Sequence, residues 1–493
     1  MRAGALDLIT AGAVFLASLA FLLWFEPFAR PVVLDPATWD YMSMALVDGR
    51  VPYRDIFLHK TPGALFLGGF GAAMAGAGGY PPLWGVRSVF LVLGAAGPAL
   101  LLLLCRRTLP LLVAVAAAAW MLAFEQWPLA AIEGARPKIA TTAFGLAALL
   151  AARSGRPLIA GAAASLSALC WQPGLAFTLG AAWELRRHAR GDHSRLLSVS
   201  RFRHPVRAAA MYRRATVGWL VPVAALGAYL TATGALGAFV RQAIAFNVAY
   251  IELHAKTPAA SAGKIWELAL QWNPEFLLIL PAAAVGMWGT RQKIPGGLAI
   301  SGAVYVAMMF VNAQAWPDTI LLAPPAAAFV AAGLAGLVST VAQKPAARTI
   351  CLAVAVVAAS GVRNDRFDPP ISYADQAEFM RGLEAGLAPE DPVLVVSLPE
   401  FLIHTGRHSV WPWPYLWFGV DRYAADHTDG GFDEMLASLE RSEPALMIVS
   451  RRWHGPLRKR FEAWASPRYT RERMWFWPHT VRPMNVYRRR EAG

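Results

Sequence analysis

The sequence predicts a polytopic α-helical membrane protein that carries a small α/β domain towards its C-terminal end. Of its 493 residues, 56% are hydrophobic and only 16% are charged, against about 25% charged in an average soluble domain. The apolar residues also gather in repeated long runs rich in Leu, Ala, Val and Gly, which is the pattern that membrane helices require. After Gly361 the character changes, as charge returns and short helix-like and strand-like segments alternate.

The run at 7–25 is long for the apolar part of a signal peptide and lacks a small-x-small cleavage site, so it reads as a retained first helix. Further runs at 84–105, 108–124, 138–152, 157–171, 174–185, 217–237, 274–288, 296–312, 319–340 and 349–361 bring the expected count to eleven. Those at 138–152, 157–171 and 174–185 are short for full spans. A break at Trp171-Gln172-Pro173-Gly174 is retained, because joining its flanks would carry an arginine-rich segment to the other side of the membrane. Residues 63–80 are apolar but peppered with Gly, and read as a helix lying against the membrane or packed within the protein.

With the N-terminus cytoplasmic, Arg and Lys are about threefold denser in the cytoplasmic segments than in the external loops before residue 362. Nine arginines fall within 186–214, where they act as a topological lock and a contact for anionic head groups. The net charge of +14 is therefore explained by the lipid bilayer, and nucleic acid is excluded as a partner. Cys105, Cys170 and Cys351 are widely separated, with neither metal-site nor disulfide spacing.

The expected organisation is a membrane domain over 1–361, with an external loop at 26–83, followed by an extracytoplasmic α/β domain over 362–493. In the latter, Asp375–Leu387 and Phe432–Arg441 read as helices. Pro392–Ser397 and Ala445–Ser450 read as buried strands, with Met484–Tyr487 as a third.

Because charge is scarce elsewhere, its clustering in 35–63 carries the functional signal: Asp35, Asp40, Arg54, Asp55, His59 and Lys60, with the turns Pro52-Tyr53-Arg54-Asp55 and Lys60-Thr61-Pro62-Gly63. From the residues alone, Asp35 reads as an N-cap followed by proline at the first helical position. A second external loop, 125–138, sets Glu133, Arg136 and Lys138 at a membrane boundary, where charges commonly act as anchors. Arg87 reads as an interfacial arginine, and Gln172 follows Trp171 on the same side. The loop 241–272, with Asn247, Tyr250, Glu252, His254, Lys256 and Trp266, is long enough to cap a cavity. Trp411–Phe418 and Trp475–His479 are dense aromatic clusters suited to core packing, membrane contact or stacking against a ring. His427, His454 and His479 are too scattered to form a metal site.

The order Asp35, helix, Gly49-x-x-Pro52-Tyr53-x-Asp55, Lys60-Thr61-Pro62 resembles the first external loop of the GT-C membrane glycosyltransferases. These enzymes use a polyprenyl-phosphate sugar, and include the protein O-mannosyltransferases and aminoarabinose transferases. The resemblance covers residues 1 to about 340 in layout and 35–63 in motif. It implies transfer of a sugar, a hexose such as mannose, from a polyprenyl-phosphate-linked donor to an acceptor hydroxyl of a glycan, lipid or protein, with inversion.

The family interval back from Pro52 lands on Asp35, which the resemblance makes the base that deprotonates the acceptor. Lys60 matches the family lysine, and cations are wanted around a leaving phosphate. Arg136 and Lys138 are read as its companions, with Asp40, Tyr53, Asp55, His59, Glu133 and Gln172 in acceptor, sugar or supporting positions. The family often shows Asp-Glu where this chain has Asp35-Pro36, so a divalent metal is left without support and no cofactor is assigned. A flippase for a lipid-linked saccharide and a non-catalytic membrane scaffold are the alternative readings.

Overall fold

The structure, a computed structural model, describes residues 2–190, 204–254, 294–311, 319–341, 371–416, 419–450, 455–476 and 483–490, with Trp453 and scattered residues between 257 and 288. Most of the run at 274–288, all of that at 349–361, Arg195, Lys256, His454 and His479 lie outside the described residues, as do the side chains of Glu252 and His254.

The protein is mostly helical. Its first helices are α1 (Arg2–Leu23), α2 (Leu34–Val47), α3 (Gly63–Ala77), α4 (Pro82–Cys105), α5 (Leu111–Ala123) and α6 (Gln126–Ile132). Then follow α7 (Pro137–Arg153), α8 (Pro157–Cys170), α9 (Leu175–Ala189) and α10 (His204–Ala232). Pro at the start of α4, α7 and α8 sits where a helix has no use for the missing N–H. Four described helices are long and apolar enough to cross a membrane: Gly4–Leu23, Pro82–Cys105, Val206–Ala232 and Ile320–Val338. The α5–α6 pair, bent by 65°, adds a fifth if it is one span. Along α1 and α10 large apolar side chains such as Leu8, Ile9, Leu16, Val206 and Val221 stay exposed, as a lipid-facing surface demands.

Small residues bring the helices together. A Cβ on Gly85 of α4 would stand 1.9 Å from the Gly71 carbonyl of α3, and one on Gly161 of α8 would stand 1.9 Å from the Ala215 carbonyl of α10. Such close backbone approach is the usual mode of helix association in lipid. The Gly-peppered stretch 63–80 is thus a helix packed into the protein. The break after α8 is a 3₁₀ turn, Gln172–Gly174. The segment 125–138 differs from the loop expected for it, since α6 occupies its centre. Trp127, fully buried, anchors that helix by donating to the Gly94 carbonyl at 3.1 Å. The helix expected over 217–237 begins earlier, at His204, carrying the basic segment into its first turns.

Beyond α10 come α11 (Leu236–Phe239), a π-helical stretch (Val240–Ala245), α12 (Phe246–His254), α13 (Gly296–Val311) and α14 (Ala323–Val341). The C-terminal region holds α15 (Tyr373–Glu384), α16 (Pro399–Thr405), α17 (Val420–His427), α18 (Gly431–Ser442) and α19 (Gly455–Ala465). Its sheet is formed by β1 (Val393–Val396), β2 (Leu446–Ser450), β3 (Tyr469–Phe476) and β4 (Pro483–Arg489), in the order β1-β2-β4-β3. β1 and β2 are parallel and the other pairs antiparallel. β1 and β2 are buried throughout, which is why they read as unbroken apolar runs. β3 was not expected, because Arg471 and Glu472 interrupt its apolar pattern. It is an edge strand, where solvated charge is tolerated, and Glu472 pairs with Arg488 of β4 at 2.8 Å.

This region seats on the loop between α2 and α3. Phe57, fully buried, donates its N–H to the Pro412 carbonyl at 2.8 Å and lies 4.6 Å from the Trp413 ring. Tyr415, Tyr423 and Phe246 of α12 complete the cluster. Trp411, Trp413 and Tyr415 therefore serve as packing at the junction.

Candidate active site

Asp35 lies in the first turn of α2. It is not the N-cap: Val33 holds that position, with no side-chain cap hydrogen bond. Asp35 Oδ2 accepts from Arg136 Nη1 at 3.1 Å, and Arg136 Nη2 donates to Glu133 Oε2 at 2.6 Å. One guanidinium thus bridges two carboxylates, one on each of the two charged segments singled out in the sequence. Asp35 is half exposed, while Arg136 and Glu133 are mostly covered. The covering of Asp35 raises its pKa, but Lys60, Arg136, Lys138 and His59 outweigh it and hold the carboxyl well below the usual range. Lys60 Nζ sits 5.5 Å over the Trp39 ring, and Lys138 Nζ 5.6 Å over the Trp171 ring. Both ammonium groups rest on aromatic faces beside the carboxylate, an arrangement that favours cations.

The turn that delivers Lys60 is built from the motif residues. Gly49, at φ +81°, ends α2 in the left-handed conformation. Arg50 N–H returns to the Ala45 carbonyl and Gly49 N–H to the Leu46 carbonyl, which is the double closure of a Schellman end. Asp55 Oδ2 accepts Val51 N–H at 2.8 Å and pairs with Arg54, so it closes the turn. Tyr53, buried at φ +69°, donates its hydroxyl to the Lys60 carbonyl at 2.8 Å. Thr61 Oγ1 donates to the Ala168 carbonyl, and Gly63 packs so tightly on Leu169 that a Cβ would come within 2.7 Å of its backbone.

His59 hydrogen-bonds through Nδ1 to the Tyr415 hydroxyl. Burial and the neighbouring Lys60 push its pKa down to about 3, against the pull of Asp35, so the ring is neutral at physiological pH. The His59 carbonyl accepts from Asn247 at 2.6 Å and from Gln172 at 3.5 Å. Gln172 therefore touches the backbone of this loop.

Asp40, on the same helix as Asp35, is sealed from solvent. Its Oδ1 accepts Ala135 N–H at 2.7 Å, and its Oδ2 has no hydrogen-bond partner among the described residues. Gly134, at φ +128°, presses against it so closely that a Cβ would stand 2.5 Å from Oδ2. Burial raises the Asp40 pKa to about 7, against the lowering effect of Arg87 and the Ala135 amide. Arg87 is a buried clamp, contrary to its reading as an interfacial side chain. It donates to the carbonyls of Pro27, Arg30 and Pro31 at 2.6, 2.8 and 3.3 Å.

The structure thus gathers Asp35, Glu133, Arg136, Lys60, Lys138 and His59 around one centre. Tyr53, Asp55 and Gln172 support the loop, and Asp40 stands behind it. Sequence reasoning missed Gln242, which accepts Leu58 N–H at 3.0 Å and donates to the Tyr53 carbonyl at 2.7 Å from the π-helical stretch. A lone amide inside the apolar segment 236–246 was its only signal. Among the described residues, no group of three or more His, Cys, Asp or Glu side chains is placed to hold a metal ion.

The helical body and the small mixed sheet together make the GT-C fold, which the chain shares with the solved structures it resembles. ArnT from Cupriavidus metallidurans in the apo state matches with a TM-score of 0.58 at 13% identity, over 96% of this chain and 97% of ArnT. The apo oligosaccharyltransferase of Archaeoglobus fulgidus gives 0.51 at 12% identity, over 89% of this chain and 69% of that one. The archaeal oligosaccharyltransferase AglB from the same organism, in complex with an inhibitory peptide and a dolichol-phosphate, gives 0.50 at 13% identity over the same shares. At these identities the likeness is one of fold. No family model and no curated protein sequence matches the chain.

Proposed function

We propose that the chain is an integral-membrane glycosyltransferase that moves a sugar from a polyprenyl-phosphate carrier to an acceptor hydroxyl on the extracytoplasmic side, with inversion. One observation carries the reading: Lys60, Arg136 and Lys138 surround the carboxylate of Asp35 at the loop of a GT-C fold. The dolichol-phosphate in the AglB complex supports a lipid-linked donor. A hexose such as mannose is the proposed sugar, on the family resemblance alone.

In this mechanism the donor phosphate docks on Lys60, Arg136 and Lys138. Its charge competes for the cations that hold Asp35 acidic, and Arg136 turns from the carboxylate to the phosphate. Asp35, relieved of those neighbours, becomes the stronger base. It takes the acceptor's hydroxyl proton as the acceptor oxygen bonds to the anomeric carbon, and the carbon–oxygen bond to phosphate breaks with its electron pair on the phosphate. The three cations stabilise that developing charge. The same reading places the N-terminus in the cytoplasm and residues 362–493 outside.

The test incubates purified protein with a panel of polyprenyl-phosphate sugars and measures free polyprenyl phosphate. Acceptor-dependent release is expected for at least one donor. No release across the panel, with labelled lipid moving across vesicles, would make the protein a flippase. Neither activity would leave a scaffold.

A further inference from the structure

The C-terminal region plays no role in the chemistry above, yet it grips both stretches that carry it. Gln376 of α15 is fully buried and pairs with Val32 in both directions: Oε1 accepts Val32 N–H at 2.7 Å, and Nε2 donates to the Val32 carbonyl at 2.7 Å. His404 Nε2 lies 2.9 Å from the same Oε1 and braces the amide. Beside it, Tyr373 N–H donates to the Ala29 carbonyl at 2.8 Å. At the other stretch, Phe57 is bonded to Pro412 and His59 to Tyr415.

Val32 lies in the irregular segment between α1 and α2, just before the N-cap Val33, and its backbone groups have no helix or sheet to satisfy them. Buried backbone polar groups require partners, and one side-chain amide supplies both. The start of α2 also lacks the side-chain cap that commonly fixes such a start. Asp35 therefore takes its position from a helix end that is secured from outside, by Arg87 of α4 and by Gln376 of α15.

We infer that Gln376 is a positioning residue for Asp35, and that the C-terminal region in this way belongs structurally to the active site. The inference rests on Asp35 being the base. It predicts two separable defects. Loosening Val32 should misplace the base while the phosphate site on Lys60 and Lys138 stays in place. Loosening His59 should disturb Lys60 while Asp35 stays in place. A displacement of about 1 Å at a reacting group costs on the order of 10²-fold in rate.

The experiment uses the full-length protein with Gln376→Leu, which removes both hydrogen bonds, and Gln376→Glu, which keeps an acceptor for Val32 N–H. Tyr415→Phe, which keeps the ring and loses the hydroxyl, probes the other stretch. Three quantities are read: hydrogen exchange in segment 29–35, kcat and donor KM for polyprenyl-phosphate release, and the melting temperature. Gln376→Leu should speed exchange in 29–35 and lower kcat by about tenfold or more, with donor KM within about threefold. Gln376→Glu should fall between it and the unsubstituted protein. Tyr415→Phe should raise donor KM and leave exchange in 29–35 unchanged. Unaltered exchange in both Gln376 variants, or faster exchange with kcat retained, would overturn the inference. If Gln376→Leu fails to fold, Gln376→Glu decides on the same readouts. If the unsubstituted protein transfers no sugar from any donor, the glycosyltransferase reading falls, and the exchange result by itself decides whether Gln376 holds the segment.

Discussion

Asp35 and Asp40 share one short helix and have opposite electrostatic fates. Cations hold Asp35 ionised, and in the proposed mechanism it accepts a proton once a phosphate draws those cations away. Asp35→Asn keeps size and polarity but cannot accept the proton, and turnover should fall by about 10²–10⁴-fold while donor binding, followed by retention of labelled lipid, persists. Arg136→Ala should lower kcat and weaken the donor together, because in the proposed mechanism the guanidinium serves the phosphate before and during bond cleavage. For Asp40 the pKa is raised from its ordinary value to about 7, so the folded state holds a proton that the unfolded chain has released. Its contribution to stability is complete below about pH 4 and is lost as pH rises through about 7. Set against the unsubstituted protein, in which the buried neutral His59 contributes the opposite slope, Asp40→Asn should therefore give melting temperatures that rise more steeply, or fall less steeply, with pH over that window. At this scale the nearness of Asp35 to Lys60 and Arg136 was foreshadowed by the family resemblance of the 35–63 loop. Gln242 and Tyr415 were not, since a hydrogen bond between distant segments leaves no local pattern.

Among the elements, the helix pair α3–α4 depends on two glycines whose backbones nearly touch. Gly85→Leu would drive a side chain into the Gly71 carbonyl, and overpacking of this kind costs about 1–3 kcal/mol or more. A lower melting temperature in detergent is expected, with Gly76→Ala as the comparison, because a Cβ there meets nothing. The apolar runs from 84 to 185 appeared in the sequence within a few residues of their helices, because apolar length is what a membrane helix needs. Helix α6, within the loop expected after residue 124, did not appear. It begins after Glu125, where Trp127 turns inward to Gly94, a choice made by packing. Strand β3 escaped notice for a related reason, since its charges suit an edge that pairing with β4 creates.

At the scale of the molecule, the proposed topology has a direct check. With native cysteines removed, Arg195→Cys should label only from the cytoplasmic side, and a cysteine at the exposed Arg441 only from outside. Labelling of both from the same side would sink the eleven-helix arrangement. The C-terminal region seats on residues 29–32 and 57–59, and the inference that it positions Asp35 makes it part of the working enzyme. A chain cut after residue 361 should then lose transfer activity even if it inserts normally, as activity assays on the truncated and full-length proteins would show.

The sequence by itself determined the membrane character, the α/β character of the C-terminal region and the loop that carries the charged residues. Composition, hydrophobic periodicity and motif spacing are local properties, and each is written in consecutive residues. Only the tertiary structure decided that Arg136 would bridge Asp35 and Glu133, that Asp40 would be buried behind them, and that Gln376 would reach across to Val32. Those contacts join segments far apart in the chain, and they exist only once helix packing has brought the segments within hydrogen-bonding distance.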